Sequence, residues 1–392
     1  MTGGARRRRG RRGLRAMGVA AAAVWFASCT PQPGAQPTAA SHVVGNSIDG
    51  AGRGTLTVDG CVLLDSTGVF TQRIDALPAQ TFAPGADPIE RAAAMLAAVN
   101  RNSLGSGAST SVYQNSVFGM PLVTVAGTTR AVTIGSSDYG IQTLPVLFPA
   151  SESQVHWQGE PNFVDGDRHL MVLDNGDPAH CRLQEHISYA NPVKTSGTAV
   201  EWTLPIRSAS TPVRTDGHGP RSAEAAGLPI APLVYRFNEV YPNGTSGAVG
   251  EIAHALRIAF PKDVNSVDAH VWPATHTDGT ATAAAAMPMG ARLRLSAAAL
   301  ARVEADQSVP AGALAILTAL HRYGAVVGDS SAETVAANPG GFGLSGEYNP
   351  GWPAGVLSSL GKVHAEDFDL VDTSCWQGTD QFNVRVPTPG AC

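Results

Sequence analysis

The sequence predicts a mainly β fold, α+β at the margin, in the form of a β-sandwich or jelly-roll-like sheets with a few short peripheral helices. Three observations predict it. The chain is punctuated by 43 Gly and 27 Pro while charged residues stay at 15%, which suits a turn-rich β protein more than a helical one. Short apolar or alternating runs recur through its middle, separated by Gly, Pro and Asp turns. Helical periodicity is confined to a few short stretches.

At the start, Arg6, Arg7, Arg8, Arg9, Arg11, Arg12 and Arg15 precede an apolar run from Ala16 to Ala27. That order reads as a signal peptide over 1–28, because the run falls short of the roughly 20 apolar residues a spanning helix needs. Phe26-Ala27-Ser28-Cys29 resembles a bacterial lipobox, which implies cleavage before Cys29, lipidation of its sulfur and anchoring in the membrane at the extracytoplasmic face. Arg11-Arg12-Gly13-Leu14 also resembles a twin-arginine signal. Residues 29–54 are rich in Pro, Gly, Ala, Ser and Thr and read as a flexible tether.

From Thr55 a single domain is expected over 55–374, with no internal repeat and no second linker. Thr55–Val58 and Cys61–Leu64 read as strands about an Asp59-Gly60 turn. A helix is expected from Asp87 to about Asn102, since Asp87 is a good N-cap, Pro88 suits the first helical position and Glu90 completes a capping box. Strands follow at Leu122–Val125, Arg130–Ile134, His169–Asp174, Cys181–Ile187 and Ala199–Leu204. Glu251–Phe260 alternates large and small residues as a half-buried strand would, and His270–Trp272 and Arg292–Leu295 read as two more. A helix from about Pro310 to Arg322 stops before Gly324, and a brief one is expected near Pro353–Leu360.

Removing residues 1–28 leaves 20 basic residues against 32 acidic ones, a formal charge of −12, so nucleic acid is not an expected partner. With Cys29 lipidated, Cys61, Cys181, Cys375 and Cys392 remain, and an even count in an oxidising compartment implies two disulfides. Three pairings are open. The one that staples the loose Pro/Gly-rich tail over 375–392 joins Cys375 to Cys392 and leaves Cys61 for Cys181. No CxxC or close Cys/His spacing suggests zinc, and neither a metal nor a cofactor is expected.

In the second half, His254-Ala255-Leu256-Arg257, Trp272-Pro273-Ala274-Thr275-His276, Pro288-Met289-Gly290-Ala291-Arg292-Leu293-Arg294-Leu295, and Tyr323-Gly324 with Asp329 occur in this order. Upstream stand Asp167-Arg168-His169, Cys181-Arg182-Leu183-Gln184-Glu185 and Ala225-Ala226-Gly227-Leu228-Pro229-Ile230. Together they resemble a family of exported bacterial proteins with no established activity, over roughly Phe70 to Asp372. Where that family tends to show Asp-Asn-Gly, this chain has Gly328-Asp329-Ser330, read as a turn. The resemblance implies one continuous domain and names no reaction.

His254 and His276 are the acid/base candidates, since histidine titrates near neutrality, and His276 stands in a loop with Asp278. Glu185, Glu239 and Glu251 could supply paired carboxylates for glycoside chemistry, with Glu185 taken as the catalytic candidate. Arg292 and Arg294 alternate with Leu293 and Leu295, so both guanidiniums are expected on one strand face, ready to bind an anionic or hydroxyl-rich substrate beside Trp272. Trp157, Trp202, Trp272 and Trp352 could stack on sugar rings. His276-Thr277-Asp278 and Asp165-Gly166-Asp167 are weak metal-ligand patterns. GxSxG, HExxH and phosphate-loop signatures are absent, which disfavours the common esterase, zincin and nucleotide-dependent classes. The leading expectation is a polysaccharide-acting hydrolase or lyase; the alternative is a non-catalytic carbohydrate-binding or envelope scaffold lipoprotein.

Overall fold

The computed structural model describes residues 42–79, 119–127, 129–136, 140–147, 169–187, 198–207, 223–244, 247–282, 286–330 and 343–373. Cys29, Cys375, Cys392, the expected helix over 87–102, Trp157 and the Asp165–Asp167 triplet lie outside them. Asp59 and Gly60 close the first hairpin because both take positive φ, 47° and 85°, the twist a two-residue turn requires. This turn joins β2 (Gly54–Val58) to β3 (Cys61–Leu64), and β1 (Val44–Ile48) adds to the other edge of β2. The expected tether therefore already contains a strand, paired residue for residue from Val44↔Val58 to Ile48↔Gly54. A polar composition hid it.

Next come β4 (Leu122–Val125), β5 (Thr129–Ser136), β6 (Gly140–Leu147), β7 (Leu170–Asp174), β8 (Arg182–Ile187) and β9 (Thr198–Trp202). Four of these form one sheet in the order β4-β7-β8-β9, with β4 parallel to β7, while β5 and β6 pair by themselves. The Cys61–Cys181 disulfide ties β3 to the residue preceding β8 across a sequence separation of 120. Loop-closure entropy gives such a long link about 5 kcal/mol of restraint on the unfolded chain.

The second half contributes α1 (Phe237–Val240), β10 (Leu256–Phe260), β11 (Asn265–His270), β12 (Met287–Met289) and β13 (Arg292–Leu295). Then follow α2 (Ala297–Glu304), α3 (Ala311–Arg322), β14 (Ala325–Ser330), β15 (Gly343–Leu344), α4 (Ala354–Leu360) and β16 (Phe368–Leu370). Ser296 caps α2 by accepting from the Ala299 amide, and Gly324, at φ 71°, lets the chain leave α3 and enter β14 at once. A five-stranded sheet runs β15-β10-β14-β13-β16, with β10 and β14 parallel and the rest antiparallel. Ile316, Leu317 and Leu320 on α3 are fully buried in one core cluster with Leu293, Leu295, Val326 and Val327.

Strands dominate, as the composition implies. The pairings leave every sheet open, and they include the parallel pairs β4/β7, β10/β14 and β11/β12, whereas a jelly roll is built from antiparallel strands. A sandwich is likewise not among the described arrangements. Three readings are corrected, the first being the strand expected at His270–Trp272, of which only His270 belongs to a strand, as the last residue of β11. Glu251–Phe260 is a strand only from Leu256, and all five of its residues are buried, because it lies between β14 and β15 instead of carrying one wet face. Gly328-Asp329-Ser330 is the end of β14, not a turn.

Candidate functional site

An arginine inside a fully buried strand must find counter-charges, since an unpaired charge there is very costly. Arg257, the second residue of β10, is 0% exposed and finds two. Its Nε donates to Glu224, its Nη2 to Asp329 at the end of β14, and its Nη1 to the Ser345 hydroxyl beside β15. Nε and Nη2 lie on one edge of the guanidinium fork, so two carboxylates share that edge.

Close approach of the backbone makes room for this. Gly328 sits on β14 where a Cβ would come 2.7 Å from Glu224 Oε1 and 3.1 Å from Arg257 Cγ, so only glycine leaves the acid its place. Gly227, at φ 75°, has the same role three residues after Glu224, for a Cβ there would meet Thr275 Oγ1 at 1.9 Å. The segment from Glu224 is then stitched on both sides: the Ala226 amide donates to Gly328 O at 3.0 Å, and the Thr275 amide to Ala226 O at 2.9 Å.

Burial pushes the Glu224 carboxyl well above its ordinary range; Arg257 opposes the shift, and the charge of Asp329 adds to it. The Asp329 side chain reaches solvent at 16% exposure. Around it lies a wetter rim. The Ser330 hydroxyl donates to Asp278 at 2.6 Å and accepts from Asn265 Nδ2 at 3.0 Å, while Lys262 stands 3.4 Å from Asp278. His276 joins this rim, its Nε2 3.2 Å from the Glu224 carbonyl and its Nδ1 3.1 Å from Thr275 Oγ1. Asp329 and Ser330 stand at the C-terminal end of β14, while Arg257 reaches them from near the start of the parallel strand β10. A protonatable acid beside a solvent-reaching carboxylate can give and take protons.

Glu185, on β8, is fully buried and accepts from the Ile230 amide at 2.8 Å, the Ala231 amide at 2.7 Å and Trp202 Nε1 at 2.8 Å. Burial raises its carboxyl to about 7 despite these donors and Arg257.

The other expected site residues are elsewhere. His254 is 0% exposed, with Nδ1 at 2.8 Å from Ala255 O and Nε2 at 2.9 Å from Glu239, a geometry that gives its ring no contact with solvent. Glu239 is sealed too: it accepts from the Arg236 amide at 2.9 Å and Asn46 Nδ2 at 3.0 Å. Burial works against its charge, but His254, Arg236 and Asn46 outweigh it and hold the carboxyl below its ordinary range. Next to this group His42 spans Asp59 at 2.7 Å, Leu122 O at 3.0 Å and Glu347 at 3.7 Å.

Arg292 and Arg294 do alternate with Leu293 and Leu295, yet all four are buried. Arg292 Nε donates to Tyr323 O at 2.9 Å. Arg294 binds the Ile74 and Leu77 carbonyls at 2.8 and 2.6 Å and Asp369 at 3.0 Å. Arg292 pairs with Val326 in an antiparallel register, so Arg294 points past the N-terminal end of β14, away from Asp329 and His276. The expected convergence of His276, Arg292 and Arg294 in one concavity is therefore not what the fold builds. Trp272 is half-buried, Trp202 and Trp352 are buried, and Glu251 is on the surface pairing Arg322. Among the described residues no group of three or more His, Cys, Asp and Glu is placed to hold a metal ion, and no helix is long and apolar enough to cross a membrane.

Sequence reasoning missed Glu224 and the pairing of Arg257 with Asp329. A signal existed for two of them: Glu224 is the lone charge in the segment from Ala223 to Tyr235, and Arg257 the lone charge in Leu256–Phe260. Compared with known proteins, the chain matches no family model, no curated protein and no solved structure.

Proposed function

We propose that this chain is an exported lipoprotein, held at the extracytoplasmic face of the membrane through Cys29, that acts on polysaccharide by carboxylate acid/base chemistry, as a hydrolase before a lyase. The observation that carries this reading is the sharing of one edge of Arg257 by Glu224 and Asp329. Burial, with the charge of Asp329 beside it, favours the protonated Glu224, which can protonate a glycosidic oxygen while Asp329 serves as base or nucleophile. Glu224 is the proton donor in this scheme and Asp329 the solvent-reaching partner. Asp278, Ser330, His276 and Lys262 offer hydroxyl-binding groups at the rim. The burial of Arg292 and Arg294 removes the reason to expect an anionic substrate from them.

The second reading, a non-catalytic carbohydrate-binding or envelope scaffold lipoprotein, draws on the full burial of the Glu224 and Arg257 side chains, which a purely structural ion-pair cluster would also have. We extend the proposal to the architecture, in which the open sheets pack as a β-sandwich. Purified protein should be incubated with plant, fungal and bacterial polysaccharides, reading new reducing ends for hydrolysis and unsaturated ends for elimination. Turnover is expected to fall about 10²- to 10⁴-fold in Glu224→Gln and in Asp329→Asn. Binding without turnover, or turnover indifferent to both substitutions, refutes the acid/base reading and leaves the binding module.

A further inference from the structure

Glu185 is the buried acid that the scheme above does not use, and its surroundings give it a place in that scheme. Its two oxygens accept the Ile230 amide, at 2.8 and 3.0 Å, the Ala231 amide at 2.7 Å and Trp202 Nε1 at 2.8 Å. The amides are those of the cap and the first residue of the 3-10 turn Ala231–Leu233, just C-terminal to the segment that carries Glu224. Between the two, the chain is fixed to β14 by Ala226 N to Gly328 O and to the Thr275 loop by Thr275 N to Ala226 O. A carboxylate on the four-stranded sheet thus holds the segment that delivers Glu224 to the five-stranded one.

Resting on the acid/base reading, we propose that Glu185 is a positioning residue for the Glu224–Asp329 pair: it anchors the segment that carries Glu224 and sets a third carboxylate against Arg257. It does not touch the place where a substrate would react. It acts through Arg257 and Glu224, and the electrostatic coupling runs both ways: Arg257 draws the Glu185 carboxyl down, and Glu185 pushes Glu224 up. The charged groups facing Glu224 are Arg257 from β10, Asp329 from β14 and Glu185 from β8, with His276 against its backbone carbonyl. Both glutamates feel the same guanidinium, so a proton gained or lost by Glu185 is felt by Glu224.

The test is a titration of the full chain carrying δ-¹³C glutamate, with the Glu224 signal identified by its loss in Glu224→Gln. In Glu185→Gln the Glu224 midpoint is expected to fall by roughly one pH unit, because a neighbouring negative charge is gone. Trp202→Phe guards against a misfolded variant: it removes one donor from Glu185, favours its protonation, and is expected to lower the Glu224 midpoint by less. A control Glu251→Gln, on the surface, should leave it unmoved. On any glycan that is turned over, the limb of the kcat–pH profile should follow the Glu224 midpoint while KM holds. An unchanged Glu224 titration in both variants overturns the positioning role. Because that signal is read without a substrate, it stands even if no glycan is cleaved, whereas turnover indifferent to Glu224→Gln sinks the parent reading alone.

Discussion

Among the described residues, the buried clusters around Glu239 and around Arg257 each hold a glutamate, with opposite results. Around Glu239, each acceptor position has a fixed donor: His254 Nε2 and Asn46 Nδ2 reach Oε1, and the Arg236 amide reaches Oε2. Around Arg257, two carboxylates bond one guanidinium, and a third acts on it through the field. The first cluster drives its acid below the ordinary range; the second drives Glu224 well above it. Burial alone is therefore no index of function. What separates the two clusters is whether the buried acid has more donors than it needs or must share them.

Glutamine substitution should separate the two most sharply. Glu239→Gln replaces an ionised acceptor by an amide that turns a donor toward His254 or Asn46, and about 3–5 kcal/mol of stability is expected to go, as when a buried ion pair loses one partner. Glu224→Gln imitates the protonated acid that the cluster already favours, so its urea midpoint at neutral pH should stay within about 1 kcal/mol of the parent. Equal losses in both variants would break the distinction.

The pH dependence of unfolding gives the same contrast as an intermediate effect. Glu239 and Asp59 have folded carboxyls below their ordinary range, so their contribution is complete above about pH 4.5 and fades as pH falls through the folded values. Glu185, Glu224 and Glu347 are raised, so the protonated folded forms are favoured and stability is lost as pH climbs from their ordinary 4.5, for Glu185 up to about 7. His42 adds to that decline. Burial opposes its charge, but Asp59 and Glu347 hold the imidazolium above its ordinary 6.5, and its contribution is lost as pH rises through the folded value. Thermal unfolding followed from pH 3 to 9 should thus peak near pH 5, and each raised group should steepen the alkaline limb by up to about 1.4 kcal/mol per pH unit. Glu185→Gln should flatten the stretch between 4.5 and 7. A maximum at pH 8 would contradict the assignment.

Much of the scaffold was legible because local rules decide it. Leu122–Val125 and Arg292–Leu295 were read at their observed bounds, and Pro310 and Gly324 bracket α3 as a cap and a stop should. Alternation also placed Arg292 and Arg294 on one face. It could not tell that the face is covered, and a covered guanidinium binds backbone carbonyls instead of substrate. The site itself was illegible for a different reason. Arg257 lies 33 residues from Glu224 and 72 from Asp329, and only the parallel pairing of β10 with β14 brings them together. Strand β14 was overlooked because Ala325, Gly328 and Asp329 weaken its β signal, yet Gly328 is the residue that admits Glu224.

The smallest expected effect tests where the Arg257 cluster ends. Lys262 and Asp278 stand 3.4 Å apart with side chains 37% and 34% exposed, and a pair so wet contributes about 0.5 kcal/mol or less. Lys262→Ala should therefore leave the urea midpoint nearly unchanged. Asp278→Asn keeps an acceptor for the Ser330 hydroxyl and should be almost as silent. If this rim meets a hydroxyl-rich ligand, the same two substitutions should weaken glycan binding several-fold, since each removes a charged hydrogen-bonding group that solvent can reach. Calorimetry on the glycan selected by the polysaccharide screen measures one effect, and urea unfolding the other. A rim that proves costly to stability and silent in binding would belong with the Glu239 cluster, and the Arg257 cluster would then be sealed on every side.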